Sequence, residues 1–423
     1  MPRNLFIMNF LYSLAVRLYV WSIYAASPFN LKARLWVKGR KGWKEKLSSK
    51  SEYLNNPVWI HCASLGEFEQ GRPLIEMIKE KKPDQKILLT FFSPSGYEIR
   101  KNYSFADYIC YLPSDTRKNA KYFIETVKPV MAIFIKYEFW NNYISELYLK
   151  GIPLYLVSGI FRNSQHFFKW YGSFFLGMLK KFTHFFLQDE ASAELLSKAG
   201  INNFTVTGDT RFDRVSKIAA SAPVIPVIEE FRNGEKVFLA GSSWPEDEKI
   251  IVKYINSNPG RMKWIFAPHE PEPSNIDRLE RMIKTNCVRF SEFSGKNRDA
   301  RVLIIDKIGI LSSAYRYAYI AAVGGGFGKG IHNILEPACW GIPVMFGPNY
   351  RKFREALSLL GRKGAFCFRN FEEFSTILDE LLSSMELYKS ASEATLKYVY
   401  ENTGATDRIF SSIFQQDINN NQV

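Results

Sequence analysis

The sequence predicts an α/β protein of two Rossmann-like domains facing a cleft, preceded by a membrane-associated helix. Three observations carry this. Short apolar runs alternate with helical patterns, which implies parallel sheets with helices on both faces. The alternation breaks at residues 216–231, where Pro223 and Pro226 fit an interdomain linker, and then restarts. The 423 residues exceed what one hydrophobic core organises. The expected segments are an N-terminal anchor (1–30), a first domain (31–218), a second (219–400), and a C-terminal helix and tail (401–423).

Residues 5–26, "LFIMNFLYSLAVRLYVWSIYAA", are apolar apart from Arg17 and a few small polar groups. A bilayer span needs ~20 such residues, but a central Arg costs about 2.5–3.5 kcal/mol. No small-residue cleavage site follows, which argues against a removed signal peptide. The next stretch, "NLKARLWVKGRKGWKEK", sets Trp36 and Trp43 among Lys and Arg. Positive charge beside an apolar segment keeps that side cytoplasmic and attracts anionic lipid. The expectation is membrane association, by spanning or by lying in the interface. The alternative is a buried helix of the first domain.

In the first half, "PVWIHCAS" reads as a strand, "EQGRPLIEMIKEKK" as a helix with Leu74, Ile75 and Ile78 on one face, and "KILLTFFS" as a strand ending in "SPSG". "VMAIFIKYE" (strand), "ISELYLKG" (helix) and "IPLYLVSG" (strand) follow, and "HFFLQDE" and "FTVTGDT" continue the alternation. Residues 167–186, "FFKWYGSFFLGMLKKFTHFF", mix aromatics with Lys169, Lys180 and Lys181. They fit a surface for acyl chains and phosphates or a buried amphipathic helix equally well.

In the second half, "KVFLAGSS", "KWIFAPHE", "RVLIID", "AYIAAVGGG" and "IPVMFG" read as strands. Gly324, Gly325 and Gly326 open a loop, with a helix expected near His332-Asn333. Glycines admit an anion close to the backbone, and a helix start offers free N–H groups, so a nucleotide phosphate fits there. Ser242 and Ser243 cap the next helix or donate to the same phosphate. Glu336 is placed to accept from two ribose hydroxyls, or is simply a helix N-terminal acid. Neither a Walker loop nor a dinucleotide fingerprint is present, which disfavours an oxidoreductase.

The totals exclude other classes. Five scattered cysteines without a C-x-x-C argue against a disulfide framework or zinc cluster. The net charge of +14 is concentrated in residues 1–50, at +9, leaving +5 for the rest. A nucleic-acid partner is therefore not expected. No D-x-D sits in a suitable loop, so no metal and no cofactor is expected. "WIHCASLGEFEQG" (59–71) poses the remaining question. Ser64 and Glu67 read as a capping box, or one of the acids Glu67 and Glu69 is a catalytic base.

Several motifs in order, "SPFNLKARLWVKGRKGW", "HCASLGE", "YEFWNN", "TGDTRFD", "GSSWPEDE", "APHEPEP" and "HNILEPACWGIPVMFGP", resemble the Kdo transferases of lipopolysaccharide synthesis, which are GT-B glycosyltransferases. The resemblance covers nearly the whole chain. It implies transfer of Kdo, an acidic eight-carbon sugar, from CMP-Kdo to a lipid A precursor at the inner membrane, on its cytoplasmic side. It implies Glu67 as general base, with Glu138 and Arg211 supporting the transition state. It implies CMP contacts from Pro268, His269, Gly309, Ile310, Leu311, Asn333, Ile334, Leu335 and Glu336. The sequence departs from the family where His269 replaces an Arg, Ile310 a Glu, Trp244 a His and Lys136 an acid. Glu69 is expected to be structural, because two residues on it points elsewhere on a helix. The alternative for Arg211 is a surface ion pair with Asp209 or Asp213. Competing functions are another membrane-associated GT-B transferase or epimerase using a UDP-sugar, and a tethered nucleotide-binding scaffold without activity.

Overall fold

The computed structural model describes residues 3–414; the first two residues of the expected anchor and the last nine of the expected tail lie outside them. The chain forms two compact units. The first runs to Asp213 and resumes at Gly404, and the second is Arg214–Thr403.

The first unit holds seven strands: β1 (Val58–Cys62), β2 (Ile87–Phe91), β3 (Tyr108–Tyr111), β4 (Met131–Ile135), β5 (Leu154–Gly159), β6 (His184–Leu187) and β7 (Phe204–Val206). They form one parallel sheet in the order β3-β2-β1-β4-β5-β6-β7. Winding reverses between β1 and β4, which makes their carboxyl ends a topological switch point. Both faces of the sheet are covered, so the strands read as unbroken apolar runs. Trp59, Leu88 and Phe134 face one core, and Val58, Ile60, Leu89 and Ile133 the other. The helix Leu65–Lys81 buries Phe68, Leu74, Ile75 and Ile78 in the second core. The returning helix Ala405–Phe414 completes that core with Ile409, Phe410, Ile413 and Phe414. Asp213 caps its start, accepting from the Gly404 and Thr406 N–H groups and the Thr406 hydroxyl.

The helix Arg3–Ala26 docks one face on this unit. The Tyr12 hydroxyl donates to Asp115 at 2.6 Å, and Asn141 Nδ2 donates to Asn9 at 3.0 Å. The opposite face exposes Ile7, Phe10, Leu11, Leu14, Leu18 and Trp21. No described helix is long and apolar enough to cross a membrane. The basic stretch after it is mixed in role. Arg40 is buried over the Trp36 ring, donates to the carbonyls of Leu112, Phe92 and Trp36, and burial lowers its pKa to about 9. The other cations from Lys32 to Lys46 are exposed.

The second unit repeats the plan with β8 (Val237–Ser243), β9 (Lys263–Pro268), β10 (Cys287–Arg289), β11 (Val302–Ile304), β12 (Ile320–Val323), β13 (Val344–Phe346) and β14 (Ala365–Cys367). The order is β10-β11-β9-β8-β12-β13-β14, all parallel, with its switch point between β8 and β12. The two α/β sheets of Rossmann type are the fold class expected from the sequence. Residues 216–231, expected as the interdomain linker, are largely helical. The helix Thr210–Ser221 runs into them, and Pro226 opens the helix Pro226–Arg232, whose Ile228 and Phe231 enter the second unit's core.

Candidate active site

The first unit's switch point gathers the acids singled out in the sequence. β1 ends at Cys62, and the turn Ala63-Ser64 leads into the helix Leu65–Lys81 with Glu67 in its first turn. The Ser64 hydroxyl makes no bond to the helix backbone and donates instead to the Glu67 carboxylate, so the capping box does not form. Glu67 is half-buried. Glu69 pairs with Arg100 at 2.8 Å. The wholly buried Cys62 thiol is pushed well above the usual thiol range, first by burial and then by the charge of Glu67, Glu138 and Glu69; it packs as a small apolar side chain.

β4 ends at Ile135. Lys136 then takes a left-handed conformation, with φ of 69°, which turns the chain sharply before Glu138. Glu138 is buried, and its Oε2 accepts from Trp140 Nε1 at 2.5 Å and from His61 Nε2 at 3.0 Å. His61 is fully buried on β1. The register pairs it with Thr90 on β2, whose Oγ1 lies 2.8 Å from His61 Nδ1 and accepts from Trp59 Nε1 at 2.8 Å. Both imidazole nitrogens of His61 thus have a polar partner, Thr90 on Nδ1 and Glu138 on Nε2, and the ring joins β2 to the turn after β4. His61, Thr90 and Trp140 carried no role in the sequence reading. Their signal was a His and a Thr at matching positions of two apolar runs, and only the strand register joins them.

Arg211 lies in the first turn of the helix Thr210–Ser221 and pairs with Asp209, at 2.9 Å from Nε and 2.8 Å from Nη2. Its neighbour Thr210 donates to the Gln70 carbonyl at 2.5 Å, which ties this helix to the one bearing Glu67. Asp213 is occupied as the cap of the returning helix.

In the second unit the nominated residues follow four adjacent strands. Pro268 ends β9 and His269 follows it. Gly309, Ile310 and Leu311 follow β11, and Ser242 and Ser243 end β8. Gly324, Gly325 and Gly326 follow β12, with Asn333, Ile334, Leu335 and Glu336 beyond. The glycine triplet is buried, and its close approaches are to the protein's own chain. A Cβ on Gly324 would lie 2.2 Å from the Ser242 carbonyl, and one on Gly326 would lie 2.6 Å from the Gly347 backbone. Gly325 N–H donates to Asp247 at 3.0 Å, and the Ser243 hydroxyl to Glu248 at 2.9 Å. Those two donors are therefore already engaged, which the sequence could not show. Asp247 is buried and also accepts from the Trp244 N–H, yet burial still raises it to about 6. The helix expected from His332-Asn333 is only Leu335–Ala338; Asn333 accepts from Leu335 N–H at its start and donates to Glu336 at 3.2 Å.

Three rings pack at these strand ends. His269 stacks on His332, with centroids 4.2 Å apart, and on Trp244 at 4.9 Å; Trp244 Nε1 donates to His332 Nε2 at 3.0 Å. Burial first, and then His269, lower His332 to about 4. Among the described residues no group of three or more His, Cys, Asp or Glu is placed to hold a metal ion.

Comparison with known proteins gives consistent matches. The family described as 3-deoxy-D-manno-octulosonic-acid transferase (kdotransferase) matches residues 38–214. A 3-deoxy-D-manno-octulosonic acid transferase of Aquifex aeolicus is 33% identical over 333 residues, 77% of this chain and 86% of that protein. One from Rickettsia bellii is 30% identical over 374 residues, 84% of this chain and 87% of that protein. Among solved structures, UDP-GlcNAc 2-epimerase from Neisseria meningitidis, bound to UDP-GlcNAc, superposes with a TM-score of 0.60 at 15% identity, covering 85% of this chain and 100% of that one. That likeness concerns the fold.

Proposed function

The chain belongs to the 3-deoxy-D-manno-octulosonic acid (Kdo) transferases, glycosyltransferases of lipopolysaccharide synthesis, and from that premise we propose that it takes Kdo from CMP-Kdo and attaches it to a lipid A precursor of the lipid IVA type. Glu67 takes the proton of the acceptor hydroxyl as its oxygen attacks the anomeric carbon. The bond from that carbon to the phosphate oxygen breaks, CMP leaves with the electron pair, and the configuration inverts. Glu138 and Arg211 support the charge that develops. Pro268, His269, Gly309, Ile310, Leu311 and Asn333 to Glu336 hold CMP, with Glu336 on the ribose hydroxyls.

The observation that carries this reading is the pair of acids at one switch point, Glu67 after β1 and Glu138 after β4, where open α/β sheets bind ligands. The choice of Glu67 over Glu69 is supported by their partners: Glu67 accepts from the neutral Ser64 hydroxyl, and Glu69 pairs with the Arg100 guanidinium. The nominated CMP contacts follow the ends of β11, β9 and β12, beside the second switch point. The protein works at the cytoplasmic face of the inner membrane, held there by the outward face of the helix Arg3–Ala26, where Phe10 is 61% and Trp21 73% exposed.

The test is purified protein with CMP-Kdo and lipid IVA, products resolved by mass, with CMP expected to inhibit better than UDP. Glu67→Gln is expected to keep the fold and CMP affinity and to lower kcat by roughly 10²–10⁴-fold. Near-normal turnover would overturn the base assignment.

A further inference from the structure

A cavity of about 430 Å³ opens in the first unit between the helix Arg3–Ala26 and the switch point. Tyr12, Val16 and Val20 of that helix form one wall, and Trp36, Phe92 and Trp140 the other. Its floor contains two carboxylates, and both are engaged within the protein. Asp115 accepts from the Tyr12 hydroxyl and the backbone of Asn142 and Tyr143, and Glu138 accepts from His61 and Trp140. The floor therefore asks for no polar partner, and the walls offer aromatic and aliphatic surface. A second cavity of about 260 Å³ shares Tyr12, Tyr137 and Phe139 with the first.

We propose that this cavity binds one saturated acyl chain of the lipid acceptor. Two observations select that occupant. The helix forming the wall turns its other face outward with Leu14, Leu18 and Trp21, so an apolar surface continues around the helix from the cavity. Trp36, on the far wall, lies in a segment whose Lys32, Lys38, Lys41, Lys44 and Lys46 are all exposed. An apolar hole beside a cationic segment matches a chain attached to a phosphorylated head group. At a volume near water's ~30 Å³ per methylene, the cavity takes on the order of ten methylenes. Of the two sources of such a chain, acceptor and bulk phospholipid, the acceptor is favoured because Glu138 forms part of the floor. The proposal rests on the transferase reading above.

The test fills the cavity with Val16→Trp, with Ala15→Phe as a smaller plug should the first fail to fold. Two measurements are made. The first is kcat/KM for lipid IVA relative to its fully deacylated sugar core. The second is quenching of tryptophan fluorescence by a nitroxide-labelled twelve-carbon fatty acid. The relative preference for the acylated acceptor is expected to fall tenfold or more, and quenching is expected to drop by a similar factor in probe affinity, while binding to anionic phospholipid vesicles stays within twofold. Unchanged preference and unchanged quenching would overturn the proposal, and so would a variant that loses vesicle binding in parallel. Wild-type protein that binds the probe but transfers sugar to neither acceptor would sink the transferase reading and, with it, the acceptor as occupant, leaving only a site for a fatty-acyl chain.

Discussion

His61 and His332 show how differently two imidazoles are used in one chain. His61 is wholly buried with a partner on each nitrogen, and it holds Glu138 in place. His332 accepts the Trp244 N–H on its Nε2, so protonation of that nitrogen would break the bond. With His332 held at about 4 against an ordinary value near 6.5, the unfolded chain binds a proton at pH 5 that the folded chain does not. Its contribution to stability is thus complete above about 6.5 and is lost as pH falls towards 4. Asp247, raised to about 6, acts in the opposite sense over much of the same window, so the informative quantity is a difference between proteins. His332→Gln is expected to flatten the acid limb of Tm against pH between 6.5 and 4 relative to the wild type, measured by calorimetry. At this scale the sequence was partly legible. Glu67 stood out because it follows an apolar run that ends in a turn, and Glu138 only through the family resemblance of its motif. Thr90, Trp140 and Asp247 did not, because what they do depends on strand register and on contacts across the loops. The glycine triplet was visible as a tight spot, but that Ser242 and Gly347 crowd it depends on contacts between loops, which periodicity does not carry.

Elements were easier to read where periodicity was strong. Leu74, Ile75 and Ile78 face the core as their spacing implies, and the inner strands β1, β2 and β4 are buried along both faces. Short elements escaped that logic: Leu335–Ala338 is one turn, and no apolar period can develop over four residues. The first helix carries two apolar faces of different use. Met8 and Tyr12 pack on the first unit's core, and Leu14 and Leu18 look outward. Replacing both leucines by Glu is expected to release the protein from anionic vesicles in a flotation assay. Stability should change by only about 0.5 kcal/mol, because the positions are exposed.

In the whole molecule the chain leaves its first unit at Asp213 and rejoins it at Gly404, and the two points are bonded to each other. Asp213→Ala removes the cap of the helix Ala405–Phe414. It is expected to cost about 1–2 kcal/mol, seen as a lower urea midpoint for the first unit, with CMP affinity unchanged within twofold. The order of synthesis adds a further consequence. Translation delivers Phe68, Leu74 and Ile78 early, and the residues that cover them, Ile409, Phe410, Ile413 and Phe414, only after the whole second unit. Domains ordinarily mature in the order in which they leave the ribosome. Here the contiguous insert can finish while the domain that began first still waits for its lid, so a nascent chain halted near position 403 would carry a mature second domain and an open, protease-sensitive first one.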